Sequence, residues 1–403
     1  DDKPGTSTGL TQTTMHSKRF KTATDSAETR YHTVSEFVKM LAAADIPIHK
    51  VDNPLVRGYI HSEVKNGGAI PKSTQIRKMY LPDIYDKERA VILEKLKGHN
   101  LTLQADETSD SQDRPILNIL VASLDLLKNG SLVYYLLDTV FLQGRVDHSN
   151  VARAILQCIS TSGISFENIR VFNSDAAAYM QKCYREVLAP LFPNCVHITC
   201  LAHLLNLLGE EFRKPYQDVN TFVRLMSAVF FRAGARKSRY KAYIVDCKER
   251  DETINAALPP NPVQTRWNSW YDCVKHHLPN LPVYSEFFKQ EVIVMGTRSP
   301  ASLTELQKLF RDEKYVAGLT VAMRFIVDQS KLIINSNLYF QSATPHMLEA
   351  FDRLEEIQIN YSMPCDNETC QKYFDGVHTT TQQRGELLEK FAKSFTLLTD
   401  KLT

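Results

Sequence analysis

The stretch that decides the fold is residues 101–140, LTLQADETSDSQDRPILNILVASLDLLKNGSLVYYLLDTV. Its apolar residues alternate or form short continuous runs, and both patterns predict β-strands. We expect three consecutive antiparallel strands at residues 101–105, 116–123 and 132–140, with Asn129-Gly130 as the turn into the third.

The sequence after residue 140 alternates between short helices and short strands. We expect helices at residues 150–159, 176–188 and 201–212, and strands at residues 169–174 and 196–199. The order βββαβαβα predicts a mixed sheet with helices on its faces. Beyond Phe212 every periodic segment indicates a helix: residues 219–229, 268–277, 303–310, 315–332 and 348–357.

A small helical module precedes the sheet. Val34, Phe37, Val38 and Leu41 share one helix face, a second helix should run from Pro54 to the Asn66-Gly67-Gly68 turn, and a third from Ser73 to Pro82. We therefore predict an α/β plus α chain with four parts: a disordered tail (1–31), the helical module (32–90), the mixed-sheet core (98–215) and an α-helical region (216–403).

Composition limits the classes of function. The 403 residues are 43% hydrophobic, which excludes disorder throughout, and the net charge of +2 provides no global attraction to nucleic acid or membranes. Charges interrupt every apolar stretch that could span a membrane. Eight dispersed cysteines are too few for a disulfide scaffold and favour a reducing compartment.

Two acidic residues follow strands that the topology can bring together. Asp106 follows the first strand and Asp175 the fourth, and a right-handed crossover can place these strands side by side in parallel. Paired carboxylates at strand ends suit Mg²⁺ or Mn²⁺ and metal-assisted phosphoryl transfer. Acidic residues in such places are also common as solvated loop residues or helix N-caps.

The segments around these acids resemble the RNase H-like core of the hAT transposase family. The matching pieces are residues 103–118, Asn173-Ser174-Asp175, a CxxH motif in Cys200-Leu201-Ala202-His203, and an RW motif in Arg266-Trp267. The resemblance implies that Asp106 and Asp175 bind catalytic metal and that Trp267 lies near DNA.

The sequence departs from that family at the third carboxylate and beside the first. Glu349, Glu355 and Glu356 all stay candidates for the third acid, with Glu355 as our choice, and position 107 is Glu where the family usually has Gly. The C-terminal region is expected to be incomplete, because the usual hAT dimerisation segment is not visible. We therefore favour a chain that is not an enzyme.

The helical module resembles the CGG triplet repeat-binding protein family. The segments that match are residues 34–40, Ile46-Pro47, residues 53–57, residues 64–73, Gln75-Ile76-Arg77 and Tyr80-Leu81-Pro82. The resemblance implies a nuclear protein that binds double-stranded DNA and regulates transcription. It also implies that His16 is the last ligand of a BED-like zinc finger, so zinc is expected in the part of that finger preceding Asp1.

Basic residues provide two further candidates for DNA contact. Lys65, Lys72, Arg77 and Lys78 cluster on the module, and the densest basic run, around Arg236, Lys237 and Arg239, is interleaved with aromatic residues. A solvated helix face explains either cluster equally well. Cys200 and His203 could supply two of four zinc ligands or simply pack, and Arg266 with Trp267 could start a helix whose indole fills the core.

The sequence thus predicts a nuclear regulator of hAT transposase descent that binds double-stranded DNA and no membrane, with a homo-oligomer left open. The alternative is an active transposase that cleaves and transfers DNA strands with Mg²⁺ or Mn²⁺ held by Asp106, Asp175 and a late Glu.

Overall fold

The computed structural model describes residues 12–63, 70–263, 267–342, 347–363 and 368–402, and the side chains of residues 12–26 and 347 lie outside the description. The chain forms two compact units, and the boundary falls between His99 and Asn100. None of the described helices has the length and apolar character needed to cross a bilayer.

The first unit is helical. Its α-helices are α1 (Gln12–Ala43), α2 (Pro54–Glu63), α3 (Ser73–Gln75) and α4 (Leu81–Leu96), with a 3₁₀ turn at Ile48–Asp52 and a π turn at Ile76–Tyr80. The core contains the apolar face predicted for the first helix together with residues from the later turns: Val34, Val38, Leu41, Val51, Ile60, Ile70, Ile76, Tyr80 and Ile84. This unit confirms the predicted helical module.

Two boundaries in this unit differ from the prediction. Helix α1 begins at Gln12, well inside the segment expected to be a tail, and Tyr31 near the end of that segment stacks on Tyr80 with ring centroids 4.8 Å apart. Helical structure also continues past Pro82 to Leu96. Pro82 lies in the first turn of α4, where its missing N–H removes no helical hydrogen bond, and the π turn precedes it.

The second unit begins with a mixed α/β part. Its strands are β1 (Leu101–Ser109), β2 (Pro115–Ser123), β3 (Leu127–Lys128), β4 (Ser131–Leu132), β5 (Tyr135–Phe141), β6 (Ile169–Ser174) and β7 (Val196–Thr199). The main sheet has the order β5-β2-β1-β6-β7, antiparallel over the first three and parallel from β1 to β7. The predicted mixed sheet and its element order are confirmed.

The third predicted strand is divided in the structure. Strands β3 and β4 form a small hairpin around Asn129 and Gly130, which both adopt positive φ angles of 54° and 77°. Two consecutive residues in this region make the tight turn that joins antiparallel strands. The edge strand β5 then starts only at Tyr135.

Helices of the second unit accompany the sheet and then continue alone. They are α5 (His148–Thr161), α6 (Ala178–Cys183), α7 (Leu201–Arg213), α8 (Gln217–Phe230), α9 (Gly234–Arg250), α10 (Trp267–His277), α11 (Leu281–Met295), α12 (Ala301–Leu309), α13 (Glu313–Gln329), α14 (Lys331–Phe340), α15 (Met347–Ser362) and α16 (Thr381–Leu402). A π turn at Tyr184–Leu188 follows α6. The α-helical region is confirmed, although α9, α11, α14 and α16 were not predicted.

Helix α7 joins the sheet to the helical region. It begins directly after β7, and its buried face of Leu205, Leu208 and Phe212 enters the same hydrophobic core as helices α8 to α16. The expected boundary between separate parts at residues 215 and 216 therefore cuts a continuous core. The sequence shows where the strands stop, but not which surface the apolar face of α7 covers.

Trp267 holds α7 against α10. Its indole is fully buried and meets α7 at Gly209, where an added Cβ would lie 2.1 Å from Cδ2 of the indole. The ring of Phe212 meets the indole edge-on at 6.4 Å, and the backbone N–H of Trp267 donates to Asn206 Oδ1 at 2.8 Å. Only glycine fits at position 209 without moving the tryptophan.

We expect Gly209→Ala to lower the free energy of unfolding by about 1–3 kcal/mol, because a methyl group there forces the packed indole to shift. The measurement is chemical denaturation of the whole chain. Gly385→Ala, also inside a helix but with no atom within 4 Å of the added Cβ, is the matched control and should be neutral or mildly stabilising. Equal stabilities for the two variants would contradict the packing argument.

Candidate functional site

The first candidate surface is a group of exposed basic residues on the helical unit, which we call the basic surface: Lys72, Arg77 and Lys78. Lys72 precedes α3, and Arg77 and Lys78 lie on the π turn that follows it. Lys65, predicted to join them, lies outside the described residues. The structure thus brings three of the four predicted residues onto one short segment.

The basic surface differs from Lys39 and Lys87 of the same unit, which form ion pairs. Lys39 pairs with Glu88 at 3.1 Å and Lys87 with Asp83 at 2.8 Å. Within the described ranges, no ion pair involves Lys72, Arg77 or Lys78. Lys72 still interacts electrostatically with the Asp52 carboxylate, whereas Arg77 and Lys78 form no ion pair among the described residues.

Two side chains, those of Asp52 and Arg57, hold the backbone around the basic surface through hydrogen bonds, and we call them the buttresses. The Asp52 carboxylate accepts hydrogen bonds from the Ser73 backbone N–H at 2.9 Å and the Ser73 hydroxyl at 2.5 Å. Both hydrogen bonds lower the pKa of Asp52, and the bond from the Ser73 hydroxyl has the larger effect. Arg57 donates to the carbonyls of Ile70 at 2.6 Å and Pro71 at 3.3 Å. Arg57 lies near the basic surface, but we do not include it there, because its guanidinium group is bound to backbone carbonyls.

The second candidate surface lies at the carboxyl ends of β1 and β6, and we call it the sheet-edge site. The two strands pair in parallel, with Gln104 opposite Asn173. Asp106 and Asp175 each lie two residues beyond this last pair, and both are partly buried. As a correction, Asp106 does not follow β1 but lies within it, opposite Asn118 of β2, because the antiparallel pairing with β2 continues to Ser109. The predicted adjacency of these strand ends is confirmed by the register. Asp175 also accepts a hydrogen bond from the Ala177 N–H at 3.1 Å, just before α6.

A cysteine and a histidine complete the sheet-edge site. The Cys200 N–H donates to the Ser174 carbonyl at 2.8 Å, which places Cys200 beside the end of β6. Burial opposes ionisation of the Cys200 thiol, but hydrogen bonds from the His203 side chain and from backbone N–H groups outweigh it, so the pKa of Cys200 is lowered. The hydrogen bond to Cys200, followed by the charges of Cys200, Asp106 and Asp175, raises the pKa of His203.

Sequence reasoning missed one contact at this site. The Tyr179 hydroxyl, on α6, donates to Glu107 Oε2 at 2.5 Å. Burial and this hydrogen bond raise the pKa of Tyr179. Glu107 was noticed only as a departure from a glycine, and its tyrosine partner is 72 residues away in sequence, so no local pattern signals the contact.

The third acid does not join the other two in the structure. Glu349, Glu355 and Glu356 are exposed on α15, and Glu356 pairs with Arg353 at 3.2 Å. In the part of the chain that the structure describes, no three His, Cys, Asp or Glu side chains are placed to hold one metal ion. The sheet-edge site therefore fits two carboxylates but not a complete set of carboxylate ligands, and Cys200 and His203 do not complete a zinc site.

The basic run on α9 has a different environment from the one predicted. Arg236 is only 7% exposed and pairs with buried Glu291 at 3.3 Å, and Arg239 pairs with the same carboxylate at 2.5 Å. Lys237 between them is partly buried. The single carboxylate of Glu291 on α11 binds both arginines and balances one of their two positive charges; Arg236 is held in the core by it, whereas the Arg239 side chain is partly exposed, and DNA contact by this run stays a prediction.

The RW motif likewise contributes to the core. Trp267 is fully buried against Gly209, so its indole is not available to DNA in this structure. Arg266 lies outside the described residues, as does the side chain of His16. The position of Trp267 agrees with the alternative interpretation of the RW motif, in which the tryptophan begins a helix and its indole fills the core.

The part of the helical unit that carries the basic surface is similar to known proteins. A family model described as the CGGBP1 helical domain matches residues 24–83. The CGG triplet repeat-binding protein 1 of Mus musculus and that of Homo sapiens are each 49% identical to this chain over 59 residues. The match covers 15% of this chain and 35% of each relative, so the chain spans about a third of the length of the curated relatives it matches.

We expect Cys200 to react with iodoacetamide at lower pH than Cys195, because the thiolate is the nucleophile and burial raises the pKa of Cys195 to about 11. His203→Gln should move the alkylation profile of Cys200 to higher pH, since it removes the charged hydrogen-bond donor. Mass spectrometry of the alkylated peptides measures both thiols in one sample, with Cys195 as the internal control. Identical profiles for Cys200 in the two proteins would show that His203 does not act on the thiol.

Proposed function

We propose that this protein is a nuclear regulator of transcription that binds double-stranded DNA through its N-terminal helical unit. The observation that carries the proposal is the 59-residue match to proteins named for binding CGG triplet repeats. The match includes the region of the basic surface, since the family model extends over residues 24–83.

The charge distribution supports this proposal. Lys72, Arg77 and Lys78 are exposed on a buttressed segment, and ion pairs neutralise Lys39 and Lys87 elsewhere on the unit. Cations without acidic partners can bind phosphates and release condensed counterions, which gives affinity that falls steeply with salt. Such contacts set position and general affinity rather than base sequence.

The mixed sheet supports descent from a hAT transposase. A three-stranded antiparallel meander followed by two parallel strands, with one acid within β1 and another directly after β6, resembles the arrangement of an RNase H-like core. In this proposal the sheet persists as a scaffold while the helical unit binds DNA.

We expect the double variant Arg77→Gln/Lys78→Gln to weaken binding of the whole chain to a CGG-repeat duplex. The slope of log affinity against log salt should become shallower by about 0.9 for each lost phosphate contact. Fluorescence anisotropy between about 50 and about 200 mM salt measures the slope.

The control for this experiment is Lys87→Gln, which removes a lysine already paired with Asp83 and should leave the slope unchanged. A scrambled duplex of the same composition separates sequence preference from general phosphate affinity. An unchanged slope in the double variant would refute the role of the basic surface.

A second candidate function, metal-dependent DNA cleavage, is favoured by the adjacent positions of Asp106 and Asp175. Magnesium or manganese would contribute charge neutralisation of the reacting phosphate, and these two carboxylates would hold it. Among the described residues, no third His, Cys, Asp or Glu joins these two carboxylates in a group that could hold a metal ion.

We therefore expect that any nicking of supercoiled plasmid in Mn²⁺ will be the same for the unaltered chain and for Asp175→Asn. The experiment compares the whole chain with Asp175→Asn, and with Asp110→Asn as a control at an acid that instead pairs with Arg114. Nicking that persists in Asp110→Asn and disappears in Asp175→Asn would establish the transposase function instead.

A further inference from the structure

The basic surface lies at the start of a long helical segment. Helix α3, the π turn and α4 follow one another, and the residues at the two junctions, Ile76 and Leu81, have helical φ and ψ angles of −58° and −48°, and of −62° and −41°. Helical structure is therefore unbroken from Ser73 to Leu96. The Asp52 carboxylate binds the backbone and the hydroxyl of Ser73, so the first turn of this segment is held in place.

Burial shows which side of this segment faces outward. Ser73, Ile76 and Tyr80 are buried, so they define the inner side of its first two turns. We call the opposite side the outer side. The exposed side chains in and just before these turns are those of Lys72, Thr74, Gln75, Arg77, Lys78 and Met79. Three cations and three uncharged residues thus occupy a short, rigid part of the helical unit.

The charge of this part of the segment is positive. The chain contains no acidic residue between Glu63 and Asp83. Asp52, which interacts with Lys72, contributes a single negative charge and is bound to Ser73. Positive side chains around the start of a helix suit the phosphates that border a DNA groove, and the major groove, about 12 Å wide, admits an α-helix.

Gln75 lies on the outer side, away from the core. It shares one strip of the helix with Lys78 and Met79, at positions i, i+3 and i+4. Arg77 follows buried Ser73 by four residues, so it lies at the border of the inner side. In a groove, the middle of the outer side meets the base edges, whereas its borders meet the phosphates. This placement favours Gln75 over Arg77 for contact with bases.

The side chain of Gln75 also has the chemistry that a base edge requires. Among residues 72–79 it alone carries a carboxamide, which presents a hydrogen-bond donor and an acceptor in one plane. Its only hydrogen bond among the described residues is a weak one, from Nε2 to Met79 Sδ at 3.6 Å. In the major groove guanine presents acceptors, cytosine presents a donor and adenine presents both. The carboxamide can therefore bond to any of these three bases.

We propose that the first two turns of this helical segment enter the major groove of duplex DNA and that Gln75 bonds to a base edge there. Recognition helices of other DNA-binding domains also contact base edges with their N-terminal residues. Phosphate contacts of the basic surface set position and general affinity, whereas a base contact sets sequence preference. Gln75 is therefore the residue that determines specificity. This inference rests on the proposed function, because it requires that the helical unit binds DNA.

Fluorescence anisotropy of the whole chain with two duplexes tests the proposal: a CGG-repeat duplex and a scrambled duplex of the same composition. Gln75→Ala should lower the ratio of the two affinities at least about fivefold, the lower end of the discrimination that one good base contact gives. The slope of log affinity against log salt should stay unchanged, because no charge is removed. The fold should be retained, since the position is exposed and alanine favours helix.

Arg77→Lys is the matched control, because it keeps the charge and changes only the geometry of a neighbouring exposed side chain. It should preserve the ratio of the two affinities. A ratio that Gln75→Ala leaves unchanged, or that falls in Arg77→Lys instead, would overturn the role of Gln75 while the proposed function stands. Equal affinities of the unaltered chain for the two duplexes would also overturn it. A lack of binding to either duplex would refute the proposed function together with this inference.

Discussion

The contact between Trp267 and Gly209 is the constraint on which the second unit depends. Helix α7 starts where β7 ends, and its apolar face lies in the helical core. The indole fits against α7 only because position 209 lacks a side chain. Asn337 of α14 adds a hydrogen bond from its Nδ2 to the Ala202 carbonyl at 2.8 Å in the first turn of α7. Packing and polar contacts thus place the turn that carries Cys200 and His203 beside the sheet.

The two basic clusters show why the density of basic residues does not by itself predict DNA contact. The run on α9 is denser in sequence, but its Arg236 and Arg239 both bind the carboxylate of Glu291, which is more than 50 residues away in sequence. A buried carboxylate requires such partners, because an unpaired charge is costly in the core. Lys72, Arg77 and Lys78 are fewer, but they are exposed and form no ion pair among the described residues. Available charge, rather than the number of basic residues, distinguishes the two clusters.

The parts of the fold that sequence predicts are those controlled by local pattern. Strands β6 and β7 have the predicted bounds, and the Asn129-Gly130 turn has the positive φ angles its residues favour. Periodicity did not reveal α11, whose buried aromatic residues are interspersed with polar ones, or α4, which carries helical structure past Pro82 to Leu96. The register that brings Asp106 and Asp175 to one edge follows from a handedness rule, whereas the pairing of Tyr179 with Glu107 depends on tertiary distance alone.

The most direct measurement is amide hydrogen exchange of the whole chain with and without a CGG-repeat duplex. If the helical unit binds DNA through its basic surface, the duplex should slow exchange in residues 72–80, where the backbone is buttressed by Asp52 and Arg57. The ends of β1 and β6 should show the same exchange in both samples. Protection confined to those strand ends, with residues 72–80 unchanged, would contradict the account and assign DNA contact to the sheet-edge site.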